Sequence, residues 1–168
     1  YGGILTVGMA SSLPSLDFYE TSTSRTLQAI SPAFNGLLEE DPENPNLIVP
    51  GLAESWEVSS DGLAYVFRLR TGVLFHDGRE MVAGDVGATL KHLMTQATPW
   101  IGAELTRAID TVAVQDDRTL LITTKFPYAP LLPLLAQGYV DIQPQDALGL
   151  DAVVGTGPFS LLEYVTDT

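Results

Sequence analysis

Apolar and polar positions alternate most sharply between Ser55 and Gly72. Trp56 and Val58 precede a Ser-Asp-Gly turn, and Tyr65, Phe67 and Leu69 follow it, interleaved with Ala64, Val66, Arg68 and Arg70. Period-two spacing about such a turn predicts a β-hairpin with an aromatic face and a more polar one. A second hairpin is predicted in AIDTVAVQDDRTLLITTK, where Val112 and Val114 alternate before the Asp116-Asp117-Arg118 turn, and Leu120 and Ile122 after it.

Helical spacing marks two further segments. Leu27, Ile30, Phe34 and Leu37 predict an amphipathic helix over Arg25 to Leu38, kinked or shortened by Pro32, with Asn35-Gly36 as an earlier stop. Val86, Leu90, Leu93 and Met94 share one face between Ala83 and Ala97, Asp85 suits the positive end of that helix, and Thr98-Pro99 closes it. Shorter signals complete the pass. ILTVGM (Ile4 to Met9) reads as a strand, YAPLLPLLAQG as a short helix, YVDIQP as a strand, and GTGPFSLLEYV as a turn into another strand. EEDPENPNLIVPG, with three prolines and four acids, is expected to be a surface connection. The Ser/Pro-rich ASSLPSLDFYETSTS is too long for a simple connector.

Composition narrows the function classes. The chain has 168 residues, 45% of them hydrophobic and 17% charged, which suits a globular core and argues against disorder. Its net charge of −13 at pH 7 repels phosphate backbones and anionic lipid, so nucleic acid is excluded as an expected partner. No apolar run reaches the roughly 20 residues of a membrane-spanning helix. The start YGGILTVGMASS lacks a basic signal-peptide region, so the chain is expected to be cytosolic or a mature secreted form. The absence of cysteine removes disulfides, thiolate metal sites and cysteine nucleophiles.

Catalytic and cofactor patterns are weak. His76 and His92 stand 16 residues apart without a metal-ligand spacing, and no Gly-x-Ser-x-Gly elbow exists. GTGPF has two glycines at dinucleotide-loop spacing, yet Pro158 removes a donor and a third glycine is missing, so no phosphate cradle is expected. Glu39-Glu40 and Asp116-Asp117 lie in polar turns where a solvated face is the simpler reading. Neither an enzyme nor a cofactor is indicated.

One block does carry a family pattern. Gly51 to Val86, GLAESWEVSSDGLAYVFRLRTGVLFHDGREMVAGDV, closely resembles the signature block of the peptide/nickel-type (family 5) extracellular solute-binding proteins of ABC importers. ILTVGMASSLPSLD, FNGLLEEDP and VVGTGPFSLLEY resemble, in order, that family's first strand, helix-end motif and return strand, so the resemblance spans essentially the whole chain. Within it, Phe75-His76-Asp77-Gly78 resembles the family's Phe-x-Asp-Gly element leading to a helix at Asp85-Val86. A structural role for His76-Asp77 follows: Gly78 permits the turn, Asp77 accepts backbone N–H groups, and Phe75 packs.

The resemblance implies a mixed α/β (α+β) fold. The chain would be the N-terminal part of the first lobe of a two-lobed, type II periplasmic-binding-protein fold, with β-hairpins and flanking helices. Residues 1–45 and 140–168 would belong to the core sheet and 46–139 to a hairpin/helix subdomain, with the second lobe absent. It implies capture of a small solute, peptide-like in the first instance, between two lobes and delivery to an ABC permease in the membrane, from a periplasmic or extracellular location. The alternative is non-transport use as a signalling or chaperone-like receptor for another protein.

By the same resemblance the ligand-facing residues are Ser22, Thr23 and Ser24 of the long loop and Trp100 after Thr98-Pro99. By the same analogy Ser11, Ser12 and the Gly155-Thr156-Gly157 turn are expected to lie near the cleft. An incomplete sheet would leave an open edge, from which self-association is expected. LDFYET and VAGDV depart from the family pattern, the first at the solute loop and the second by placing Gly84 in a helix start.

Overall fold

The computed structural model describes residues 2–9, 12, 13, 15–17, 19, 24–95, 100–150 and 152–165. Its centre is a four-stranded antiparallel sheet made by joining the two predicted hairpins. Strands β3 (Ala53–Val58) and β4 (Ala64–Leu69) form the first, with β1 (Leu38–Glu40) and β2 (Ile48–Pro50) in a small pair before them. Strands β5 (Ile109–Asp116) and β6 (Thr119–Thr124) form the second, and β4 lies beside β6 to give the order β3-β4-β6-β5.

Register explains the merger. Tyr65 faces Ile122 and Phe67 faces Leu120 across β4 and β6, so the apolar positions of both hairpins fall on one buried face. Helix α2 (Ala83–Thr95) covers that face with Val86, Leu90 and Leu93. It can approach closely because of Gly87, where a β-carbon would sit 3.1 Å from Val114 Cγ2. Burying each large apolar side chain contributes about 2 kcal/mol. The first turn is fixed by Asp61, whose Oδ1 accepts from Ser59 Oγ and the Leu63 N–H, while Gly62 takes φ +70°.

Several expectations are corrected. Helix α1 (Ser24–Ile30) ends before Pro32, which sits in a 3-10 turn over Ser31–Ala33, and Leu38 already belongs to a strand. The Pro-rich 39–51 segment is not only a surface connection: it contains the β1–β2 pair, turned by Asp41, whose carboxylate accepts from the Glu43 and Asn44 N–H groups. The YVDIQP region forms a 3-10 turn, Gly138–Val140, followed by chain that joins no strand ladder among the described residues, with the Ile142 N–H donating to the Asn35 carbonyl (3.0 Å). Residues 4–9 and 152–165 carry no strand pairing among the described residues. A strand needs a continuous ladder with a neighbouring strand, and among the described residues 4–9 have no backbone partner while 152–165 make only isolated backbone bonds.

Helix α3 (Trp100–Ala108) was not foreseen, since Ile101, Leu105 and Ala108 are too few to set a clear period. The short helix in YAPLLPLLAQG is α4 (Leu131–Leu135). The expected Thr98-Pro99 stop and Ala97 lie outside the described residues.

Candidate functional site

The Gly155–Gly157 turn and Trp100 lie in two separate surroundings. In the first, the Gly155–Gly157 turn is pressed onto the 3-10 turn after α1. The Gly157 N–H donates to the Ala33 carbonyl (3.0 Å), Phe159 N–H to Pro32 (3.2 Å), and the Thr156 hydroxyl to Asn35 Oδ1 (3.1 Å). A β-carbon on Gly155 would lie 2.1 Å from the Ala33 carbonyl oxygen, and one on Gly157 would lie 2.5 Å from Pro32 O, so only glycine allows this approach.

The other side of this turn meets His76. The His76 N–H donates to Gly155 O (2.9 Å), the Gly155 N–H reaches His76 Nδ1 (3.3 Å), and His76 Nε2 lies 2.9 Å from Gly157 O. The Phe75–Gly78 turn presents the ring. Its Gly78 N–H donates to Phe75 O, Gly78 takes φ +87°, and Asp77 accepts from the Arg79 N–H. His76-Asp77 is therefore structural. Among the described residues no three His, Cys, Asp or Glu side chains gather as metal ligands.

In the second, Trp100 opens α3 with 54% of its surface exposed and its ring edge-on to Tyr139. It lines a groove of about 480 Å³ with Glu104, Tyr128, Pro130, Pro133, Leu134 and Gln137. Glu104 accepts from Arg107 (2.6 Å) and from the Tyr128 hydroxyl (2.8 Å), and the hydrogen bond from Arg107, then that from Tyr128, holds its carboxyl below the ordinary range. Arg107 also lies over the Phe126 and Tyr128 rings. The groove thus offers aromatic and proline surface beside a fixed polar rim.

Ser12 is exposed, and Ser24 begins α1. Ser11, Ser22 and Thr23 lie outside the described residues.

Sequence reading missed a buried polar cluster. The Tyr19 hydroxyl donates to the Asp141 carbonyl (2.5 Å), and burial raises the Tyr19 phenol well above its ordinary value. The Asp141 carboxyl is pushed up to about 8, chiefly by burial and then by the charge of Glu39. Its Oδ1 lies 3.3 Å from where a β-carbon on residue 36 would stand, so Gly36 makes room for it. No spacing in the sequence links residues 19, 36 and 141.

These surfaces belong to a recognisable class. Residues 48–168 match the family model of bacterial extracellular solute-binding proteins, family 5 (middle part), and the chain belongs to that family. It is 28% identical to a probable di/tripeptide-binding protein 5 of Pseudomonas aeruginosa, over 97% of this chain and 36% of that protein. It is 33% identical to the dipeptide-binding protein of Escherichia coli, over 72% of this chain and 28% of that protein. Among solved structures, it superposes with a TM-score of 0.80 and 28% identity on an ABC transporter-associated periplasmic binding protein of Helicobacter pylori in complex with the peptide STSA. That match covers 94% of this chain and 36% of the other. The chain therefore spans about a third of the length of these relatives.

Proposed function

We propose that this chain supplies one wall of a solute-binding cleft, that the cargo is a short peptide, and that the captured cargo passes to an ABC permease without chemical turnover. Its place of work in this reading is the periplasm or cell exterior. In this reading residues 46–139 are the hairpin/helix subdomain of the lobe and 1–45 with 140–168 its core-sheet part.

The observation that carries the reading is the superposition over nearly the whole chain on a binding protein holding a tetrapeptide. Local chemistry supports it. Trp100 offers an exposed ring for apolar side chains, and the Ser/Thr-rich long loop carries the residue types suited to hydrogen bonding with a peptide backbone. Among the described residues no helix is long and apolar enough to cross a membrane.

Calorimetry with a panel of di-, tri- and tetrapeptides on the full-length protein tests this. Binding at micromolar or tighter Kd, weakened roughly tenfold or more by Trp100→Ala with an unchanged melting temperature, is the expected result. Absence of binding to any peptide, with capture of a folded protein instead, would shift the reading to the receptor alternative.

A further inference from the structure

We propose that His76 is a positioning residue: as a neutral imidazole carrying its hydrogen on Nε2, it holds the Gly155–Gly157 turn, and its protonation releases that turn. The inference goes beyond the proposed function and does not rest on it.

Both ring nitrogens are committed to one short segment. Gly157 offers a carbonyl at 2.9 Å from Nε2, and a carbonyl only accepts, so Nε2 must carry the hydrogen. Gly155 offers an N–H at 3.3 Å from Nδ1, and an amide N–H only donates, so Nδ1 must be bare. Of the three protonation forms of imidazole, one satisfies both neighbours. Protonation places a hydrogen on Nδ1 that faces the Gly155 N–H, turning an attraction into a repulsion.

The remainder of the turn's support is indifferent to protons. On its far side the turn is held by bonds to Pro32, Ala33 and the Asn35 amide. The bonded segment 152–159 and the 31–36 segment behind it carry no titratable side chain, and Glu39 stands beyond Asn35, to which it is hydrogen-bonded. Charged groups near the ring come from its own turn, Asp77 and Arg79, and through Arg79 from Asp85 on α2 and Asp146 after it. His76 is half-buried, so solvent protons reach it, while Phe75 beside it is buried and stacked under the Arg79 guanidinium at 5.1 Å. The ring is thus rigidly presented from one side and bound to a turn that cannot shift toward Ala33.

Long-range 1H–15N spectra of the isotopically labelled chain test the proposal, with His92→Gln assigning the two histidines. The expected result is the Nε2–H tautomer for His76 at about pH 8. On lowering the pH to about 5, the Gly155 and Gly157 amide resonances should move together with those of the His76 ring, and the Gly155 protection factor, taken against the intrinsic exchange rate at each pH, should fall roughly five- to tenfold, the factor of one ordinary hydrogen bond. His76→Gln keeps one acceptor and one donor and abolishes that pH response, whereas His76→Phe leaves Gly155 weakly protected at every pH. An Nδ1–H tautomer, Gly155 and Gly157 amides that ignore the His76 titration, or a pH response persisting in His76→Gln would each overturn it. No ligand enters these readouts, so a protein that binds no peptide can still pass them.

Discussion

Arg79 and Asp85 meet in a two-pronged ion pair at the start of α2, with Nη2–Oδ1 at 2.9 Å and Nη1–Oδ2 at 3.2 Å, and the aspartate fully buried. The same carboxylate accepts the Val82 N–H at 3.0 Å and the Gln145 N–H at 3.1 Å, so it caps the helix and ties down the 141–147 segment together. Arg79→Met would strand a buried charge, and Asp85→Ala would strand two backbone donors. Each is expected to lower stability by about 3 kcal/mol. The double variant should lose less than the two losses added, because neither partner is then left alone. Urea unfolding of all four proteins measures this, and simple additivity would show that the pair does not act as a unit.

Glycines in this chain divide by surroundings. Gly157→Ala would push a β-carbon to 2.5 Å from the backbone of Pro32 and Ala33, where neither wall can yield easily, and a loss of about 3 kcal/mol is expected. Gly84→Ala, inside α2, would meet only Val82 Cγ2 at 3.6 Å and should stabilise by about 0.5 kcal/mol through helix propensity. Thermal melts of the two variants should therefore shift in opposite directions, and a shift of the same sign in both would contradict the contrast.

The two hairpins and α2 were legible because each is defined by neighbours in sequence: the Tyr65-Phe67-Leu69 alternation, the Asp61-Gly62 turn, and the Val86-Leu90-Leu93 stripe. Their union through β4 and β6 was not, since pairing Phe67 with Leu120 depends on matching two faces 53 residues apart (120 − 67). Ile4 to Met9 carries a strand's alternation but finds no strand partner among the described residues, so propensity alone did not produce a strand. At the candidate site, Gly155 to Gly157 and Trp100 stood out as motifs. The role of His76 is set by carbonyls and amides that every residue possesses, which leaves no mark in side-chain pattern.

Asp141 links stability to pH. With its carboxyl raised to about 8 in the fold, it stays protonated where the unfolded chain would ionise. Its contribution is fully present below the ordinary carboxylate range near pH 4 and is lost as pH rises through about 8, at up to about 1.4 kcal/mol per pH unit. Asp141→Asn removes the titration. The variant should match the parent near about pH 4 and exceed it in melting temperature at about pH 9. Glu39→Gln, removing the neighbouring charge, should narrow the parent's loss without abolishing it. Parallel pH profiles for parent and Asp141→Asn would mean that the carboxyl ionises freely in the fold.

Two extended segments expose apolar side chains and unpaired backbone. Ile4 and Leu162 are each 82% exposed, and neither residues 2–9 nor 160–165 make a backbone–backbone hydrogen bond among the described residues. The Tyr164 hydroxyl accepts the Leu13 N–H at 2.6 Å, which holds the second segment to the chain at Leu13. Open backbone flanked by apolar side chains is a template for strand pairing, and this chain is expected to associate with copies of itself as its concentration rises. Lysine at both positions, Ile4→Lys with Leu162→Lys, adds like charges that oppose pairing without touching the core around Phe67. Sedimentation velocity over a concentration series should then show the parent's average mass climbing while the double variant stays monomeric. A parent that sediments as a monomer throughout would mean that these segments are kept from pairing by their own local packing.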